Sequence, residues 1–158
     1  MWGRLLVLAT ALAAGWIAAA TAGAVGPDDT SAKVTLSSLR AGARPVSLRI
    51  TIEASLQCGR PVGSSTVKLP VQFAVPARID ASSVRYGPRA AAKVATSGHT
   101  IVVTAARDKL TCHSIAVGPE TMTFTQAARL GNPAKPGTYA ITVQRGVAAY
   151  RGTVTITG

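Results

Sequence analysis

The sequence is poor in the groups from which catalytic centres are built. Its 158 residues include two cysteines, two histidines and six acidic residues, and aromatic side chains make up only 4%. So few rings argue against nucleic acid as a partner, because proteins that bind single strands stack the bases on exposed aromatic side chains. The sequence contains no Gly-x-Ser-x-Gly elbow and no glycine-rich phosphate-binding loop. It therefore predicts no enzyme and no cofactor.

Metal-binding patterns are also missing. Cys112 and His113 are adjacent and have the atoms for half of a zinc or copper site, but no second ligand pair stands at a recognisable spacing. We expect both His99 and His113 to be loop residues at the surface, and no metal site is predicted. The enzymatic alternative is a small hydrolase or redox protein that uses these histidines or the cysteines, and it requires a histidine with a carboxylate partner.

Acidic residues are scattered among turn residues and basic residues. In the main part of the chain they are Glu53, Asp80, Asp108 and Glu120. Arg107-Asp108-Lys109 is typical, and simple ion pairing at the surface explains such neighbours without catalysis. The sequence therefore predicts that these carboxylates are surface groups.

The first 24 residues have the pattern of a secretory signal. Arg4 lies close to the amino terminus, residues 5–20 are apolar, and small residues end the segment at Ala22-Gly23-Ala24. The apolar stretch of 16 residues is shorter than the roughly 20 that a membrane-spanning helix needs. We predict cleavage after Ala24 and a secreted or extracytoplasmic product without a membrane span, and a retained anchor is the alternative.

The rest of the chain is predicted to be one domain behind a short leader. Residues 25–32 are small, polar and turn-prone, which is typical of a flexible leader. Residues 33–158 contain turn-forming Gly and Pro pairs at short intervals, as in the segments Gly87-Pro88 and Pro136-Gly137. Between these turns lie short β-like runs, a pattern that favours a sandwich or barrel.

Alternation of apolar and polar residues is the main structural signal, because successive side chains of a strand point to opposite faces. Helical spacing is confined to residues 125–130, which are too few for an independent helix. Pro70 removes a ladder donor and so indicates an edge or a bulge. We predict an all-β fold, a single antiparallel sandwich of eight or nine strands. The alternating runs are 48–52, 67–73, 101–103, 122–124, 139–143 and 154–156, with weaker ones near Val34, Val84 and Val94.

Four segments resemble the Ig-like β-sandwich domains of secreted and cell-surface bacterial proteins. They are Val71–Ala77 (VQFAVPA), Ala81–Gly87 (ASSVRYG), Gly98–Val103 (GHTIVV), and Asn132-Pro133 with Pro136–Tyr139 (PGTY). In such domains an apolar strand leads into a short hairpin, and a late Pro-Gly-Thr-Tyr segment opens one of the last strands. The resemblance implies a fold and does not imply a ligand.

Cys58 and Cys112 form an even pair in a chain with a secretory signal. Exported proteins usually meet an oxidising compartment, so a disulfide between them is the leading interpretation, with two unpaired buried thiols as the alternative. The bridge would close a loop of 55 residues.

Basic residues outnumber acidic ones by 17 to 6, and the formal charge of +11 becomes +10 once Arg4 is removed. Such an excess favours polyanionic partners, and the arginine fork matches carboxylate and phosphate oxygens. The strongest local concentration is expected on a hairpin that carries Arg78, Arg85, Arg89 and Lys93. An equally weighted alternative is that the charge only keeps the domain soluble.

Together these features predict a non-enzymatic binding or interaction module at the cell envelope or outside the cell. Its expected partners are anionic polymers, lipid headgroups or another exported protein. An accessory or inhibitory subunit of an exported protein is the main alternative, and it would make contact through a loop or a sheet edge.

Overall fold

The computed structural model describes residues 29–55, 63–106 and 117–158. The predicted signal segment, Cys58, Cys112 and His113 lie outside these residues. Within them the fold is all-β, as predicted, with ten strands and two short 3-10 helices. The strands are β1 Asp29–Leu36, β2 Leu48–Ser55, β3 Ser64–Lys68, β4 Val84–Tyr86, β5 Arg89–Ala90, β6 Lys93–Ser97, β7 Thr100–Thr104, β8 Val117–Phe124, β9 Gly137–Arg145 and β10 Ala148–Ile156; the 3-10 helices are η1 Ala81–Ser83 and η2 Gln126–Ala128.

The strands form one continuous sheet in the order β5-β4-β8-β2-β1-β10-β9-β3-β7-β6. The sheet curls so that its two halves face each other, because side chains of β3 and β9 contact side chains of β4 and β8. β1 joins the halves: residues 29–31 pair with β10, and residues 32–36 pair with β2. We call β3, β6, β7, β9 and β10 the acid-free half, because these strands contain no aspartate or glutamate.

Two sequence-based expectations about the start of the domain are wrong. The pairing of β1 with β10 is parallel, so the sheet is mixed and not purely antiparallel. β1 passes from one half to the other and pairs with a different strand in each. Of these two partners, β2 runs antiparallel to β1 and β10 runs parallel to it. β1 also begins at Asp29, so residues 29–32 of the predicted flexible leader are part of the sheet.

The core lies between the two halves and is built from the inward-facing residues of the alternating runs. Ile50, Ile101, Phe124 and Ile141 are completely buried, as the alternation predicted. The run at 67–73 differs, because β3 ends at Lys68 and Pro70 begins a turn in which Phe73 N–H donates to the Pro70 carbonyl at 3.0 Å. Val71, expected on the buried face, is therefore 74% exposed.

The curled sheet has two ends. At the proximal end, β1 begins at Asp29 and β8 begins at Val117, while β2 ends at Ser55 and β9 ends at Arg145. The distal end is formed by the loops at 37–47, 69–80 and 125–136, which two backbone bridges tie together: Val46 with Leu130, and Ala74 with Gly131. The segments that contain the cysteines both leave the described strands at the proximal end.

Candidate functional site

The four basic residues predicted to form one hairpin are spread over two halves of the sheet. Arg85 and Arg89 lie on the β4–β5 hairpin, Arg78 lies in the loop before η1, and Lys93 begins β6. β5 and β6 are the two ends of the strand order, and residues 91–92 carry the chain between them. The Ala91 N–H donates to Val84 in one half, and the Ala92 N–H donates to Thr104 in the other.

Even the two arginines of the hairpin do not share a face. Arg85 pairs with Ala90 and Arg89 pairs with Tyr86, so they occupy successive positions of one ladder. Successive positions point to opposite faces of a sheet. The four residues therefore flank the break between the first and last strands of the sheet and do not form a single patch.

The acid-free half carries positively charged residues over a larger area than the predicted hairpin does. Its five strands contain Lys68, Lys93, Arg145 and Arg151, and no aspartate or glutamate. Lys68, Lys93 and Arg151 are exposed. All six acidic residues of the chain lie elsewhere in the sequence. Within these five strands no carboxylate offsets the charge of the outward cations, which favours a positive potential at this face.

Strand register places two of these cations in one row. Arg151 of β10 pairs with Thr142 of β9, and Thr142 also pairs with Lys68 of β3. The row continues from Lys68 to Thr100 of β7. Since neighbouring strands are about 4.8 Å apart, the backbone positions of Arg151 and Lys68 are about 10 Å apart.

Hydroxyl groups occupy most of the remaining outward positions of this half. Two pairs are hydrogen-bonded across neighbouring strands, Ser64 with Thr104 at 2.8 Å and Thr138 with Thr155 at 3.1 Å. These groups can donate to anionic oxygens in the gaps between the cations. The outward hydroxyl residues are Ser64, Thr66, Ser97, Thr100, Thr104, Thr138, Thr142, Thr153 and Thr155.

A polar cluster links the inner faces of the two halves near the proximal end. Arg145 of β9 forms an ion pair with Oε2 of Glu120 on β8. Tyr86 donates to the same carboxylate oxygen at 2.7 Å, and its hydroxyl also lies 3.2 Å from Oγ of Ser65. Oε1 of Glu120 has no hydrogen-bond partner among the described residues.

The burial of Glu120 corrects the expectation of a surface carboxylate, because the residue is only 9% exposed. Alternation contained the signal: Glu120 has the same phase as the buried residues Met122 and Phe124. An inward carboxylate loses its hydration and needs a cation and hydrogen bonds in exchange, and Arg145 and Tyr86 supply them. No pattern in the sequence indicates that β9 faces β8.

The same cluster makes alkaline stability depend on Tyr86. Burial, together with the hydrogen bond and negative charge of Glu120, raises the pKa of Tyr86 to about 12, against opposing effects of Ser65 and Arg145. The unfolded chain loses this proton near pH 10 and the folded protein keeps it. Between pH 10 and about 12, the unfolded state is therefore favoured increasingly.

We expect the urea midpoint to fall more between pH 9 and 11.5 for the wild-type protein than for Tyr86→Phe, which has no phenol to ionise. Every other ionisable group is common to the two proteins, so the difference between the two curves isolates Tyr86. Parallel curves would contradict the perturbed pKa.

At the distal end an open cleft of about 440 Å³ is lined by Arg44, Pro45, Pro76 and Arg129. The two arginines lie in different loops and are 85 residues apart in the sequence, so no local motif indicates the cleft. Arg129 follows η2 in the left-handed backbone region, with φ 56° and ψ 30°. This conformation is uncommon for residues other than glycine, asparagine and aspartate.

His99 has a structural role in the described part of the chain. It lies in the turn between β6 and β7, as expected of a loop residue, and its Nε2 is 3.1 Å from the carbonyl of Phe73. This contact is to a backbone carbonyl, whereas the enzymatic alternative requires a carboxylate. Across the described ranges, no three His, Cys, Asp or Glu residues come together as metal ligands. In the same ranges, no helix has the length and apolar character to cross a membrane.

Solved structures similar to this fold include a bacterial adhesin domain and a bacterial hydrophobin. The N-terminal domain of the Streptococcus gordonii adhesin Sgo0707 superposes with a TM-score of 0.50 and 12% sequence identity, over 84% of this chain and 33% of that one. BslA, a bacterial hydrophobin, gives a TM-score of 0.49 and 15% identity, over 80% of this chain and 94% of that one. No family model and no curated protein matches the chain. At this level of identity the likeness to the adhesin domain concerns the fold alone.

Proposed function

We propose that the protein is an exported, non-enzymatic domain that binds anionic polymers at the cell envelope or outside the cell. The observation that carries this proposal is the acid-free half, in which five neighbouring strands contain basic residues and no carboxylate. Export rests on the signal pattern of residues 1–24. Arg78, Arg85, Arg89 and Lys93 are proposed as further contacts, of which Lys93 belongs to the acid-free half.

For the fold, we propose membership among the Ig-like β-sandwiches of bacterial surface proteins. Two features support it: the halves of the sheet enclose one core, and the first strand divides its pairing between them. The similarity to an adhesin domain is compatible with this assignment.

The chemistry of the acid-free half suits a long ligand better than a small one. Its cations are dispersed among hydroxyl groups, and each exposed charge pair contributes only about 0.2–1 kcal/mol. A polymer gains affinity by engaging several of them at once, since the later contacts form within an existing complex. Binding of this kind should weaken steeply with salt, because the interacting charges are exposed to solvent.

The test compares two variants from which equal charge has been removed. The face variant combines Lys68→Gln, Lys93→Gln and Arg151→Gln, and the edge variant combines Arg78→Gln, Arg85→Gln and Arg89→Gln. Retention on dextran sulfate beads is measured for both and for the wild-type protein at low and high salt. We expect the face variant to bind about tenfold more weakly than the wild-type protein, which corresponds to about 1.4 kcal/mol over three charges. The edge variant removes only the further contacts, so it should lose clearly less affinity.

The controls separate the partner classes. Neutral dextran beads should retain no protein, and phosphatidylglycerol vesicles show whether lipid headgroups suffice. Equal losses in both variants would mean that net charge alone drives retention. Wild-type retention that does not change with salt would contradict the proposal.

The accessory or inhibitory alternative has one structural feature in its favour. β6 is the last strand of the sheet and pairs with β7 on one side. An exposed strand edge can accept a strand of another protein. Salt-independent retention of a single exported protein from the source's envelope fraction would support this alternative over polymer binding.

A further inference from the structure

The geometry points to a second, separate site: the cleft between Arg44 and Arg129 binds the phosphate group of a small phosphate monoester. The cleft is open, has a volume of about 440 Å³, and is lined by these arginines with Pro45 and Pro76. It lies at the distal end and shares no residue with the acid-free half. The inference therefore holds whether or not the protein binds anionic polymers.

Both guanidinium groups are available to a ligand. Among residues 29–55, 63–106 and 117–158, neither Arg44 nor Arg129 makes a side-chain hydrogen bond or an ion pair. No carboxylate lines the cleft. Two arginines that line one cleft without a carboxylate give it a positive potential, which favours the binding of an anion.

Arg44 is placed by the absence of a side chain at residue 131. A Cβ at Gly131 would lie 2.5 Å from both Cγ and Nε of Arg44, which is too close for any real contact. Gly131 itself is fixed, because it exchanges two backbone hydrogen bonds of 2.9 Å with Ala74. The Arg44 side chain thus occupies space that only glycine leaves open.

Arg129 is placed by an unusual backbone conformation. Its positive φ of 56° ends η2, and the Arg129 N–H donates to the Gln126 carbonyl. The next residue, Leu130, is buried and its carbonyl accepts from the Val46 N–H at 2.9 Å. Glycine or asparagine would satisfy this backbone more easily, so an arginine here indicates a use for its side chain.

The lining identifies the class of ligand. Two guanidinium forks match a group with several anionic oxygens and close to two negative charges, which describes a phosphate monoester near neutral pH. The prolines have no N–H to donate, so they offer apolar walls to the organic part of the ligand. A carboxylate carries half of this charge and one fewer oxygen, and should bind more weakly.

The experiment titrates the protein with three probes: glucose 6-phosphate, glucuronate and glucose. Chemical-shift changes at the backbone amides of the distal loops report binding, and the unfolding temperature of each variant confirms folding. We expect glucose 6-phosphate to bind at least tenfold more tightly than glucuronate, and glucose to cause no change. Arg44→Gln and Arg129→Asn should each weaken glucose 6-phosphate binding at least tenfold.

Two further variants separate placement from net charge. Gly131→Ala removes no charge but displaces the Arg44 side chain, and should also weaken binding. Arg49→Gln removes one charge from β2, outside the cleft, and should leave binding unchanged. The inference is overturned if Arg44→Gln and Arg129→Asn bind as wild type does, or if Arg49→Gln weakens binding as much as they do. Loss of polymer binding by the face variant with intact glucose 6-phosphate binding would leave the inference standing.

Discussion

Replacing Glu120 by methionine should destabilise the folded protein by about 2–3 kcal/mol, because Arg145 would lose the carboxylate that compensates for its desolvation. This loss of stability is smaller than for a fully buried ion pair, because the Arg145 side chain is still 17% exposed. Tyr86 would also lose its acceptor. Urea unfolding at pH 7 measures the effect, and the slope of the transition should not change.

The matched control is the double variant Glu120→Met with Arg145→Met. It removes both charges and fills their space with apolar groups of similar length, so it should recover much of the lost stability. Arg145→Met alone should be as damaging as Glu120→Met alone, since it leaves a buried carboxylate. If the effects of the two single changes simply add in the double variant, the ion pair does not hold the halves together.

Replacing Cys58 and Cys112 together by serine should lower stability by about 4 kcal/mol, provided that they form the predicted disulfide. The described strand ends next to the two segments are compatible with this bridge. Ser55 and Val117 are paired across β2 and β8, three residues before Cys58 and five after Cys112. At about 3.5 Å per residue, these lengths allow the Cα separation of about 5.5 Å that a disulfide requires.

Reduction provides the companion measurement. Protein recovered from an oxidising compartment should lose the same stability when treated with a thiol reductant as the double serine variant loses by mutation. The reductant should have no effect on the variant itself. Two titratable thiols in the unfolded, unreduced wild-type protein would exclude the disulfide.

The sequence identifies most strands because alternation directly records which residues face a core. β2, β7, β8, β9 and β10 each contain such a run, and the apolar positions of these runs are buried except for Tyr139, which is partly exposed. The run at 67–73 misleads because alternation continues through Pro70, where the backbone turns. Strand number was close, at eight or nine against ten. The pairing of the strands could not be predicted, since alternation says nothing about which distant strands become neighbours.

The candidate sites follow the same division. Lys68 and Arg151 are outward by alternation, but only the order β10-β9-β3 places them in one row. Conversely, Arg85 and Arg89 are close in sequence, which suggested one patch, and the ladder turns them to opposite faces. Arg44 and Arg129 line one cleft because two distal loops pair at Val46 and Leu130. Long-range strand and loop pairing therefore determines which residues share a site, and the local sequence does not reveal this pairing.

The parallel pairing of the first and last strands has a mechanical consequence. Residues 29–31 pair with the start of β10, and a further parallel bridge joins Arg40 to Thr157 just after its end. A force that draws Asp29 and Thr157 apart therefore pulls the two segments along their common axis. The hydrogen bonds at both places then bear the load together, in shear, instead of opening one after another as in a peeled hairpin. A domain connected in this way resists a stretching force applied between Asp29 and Thr157.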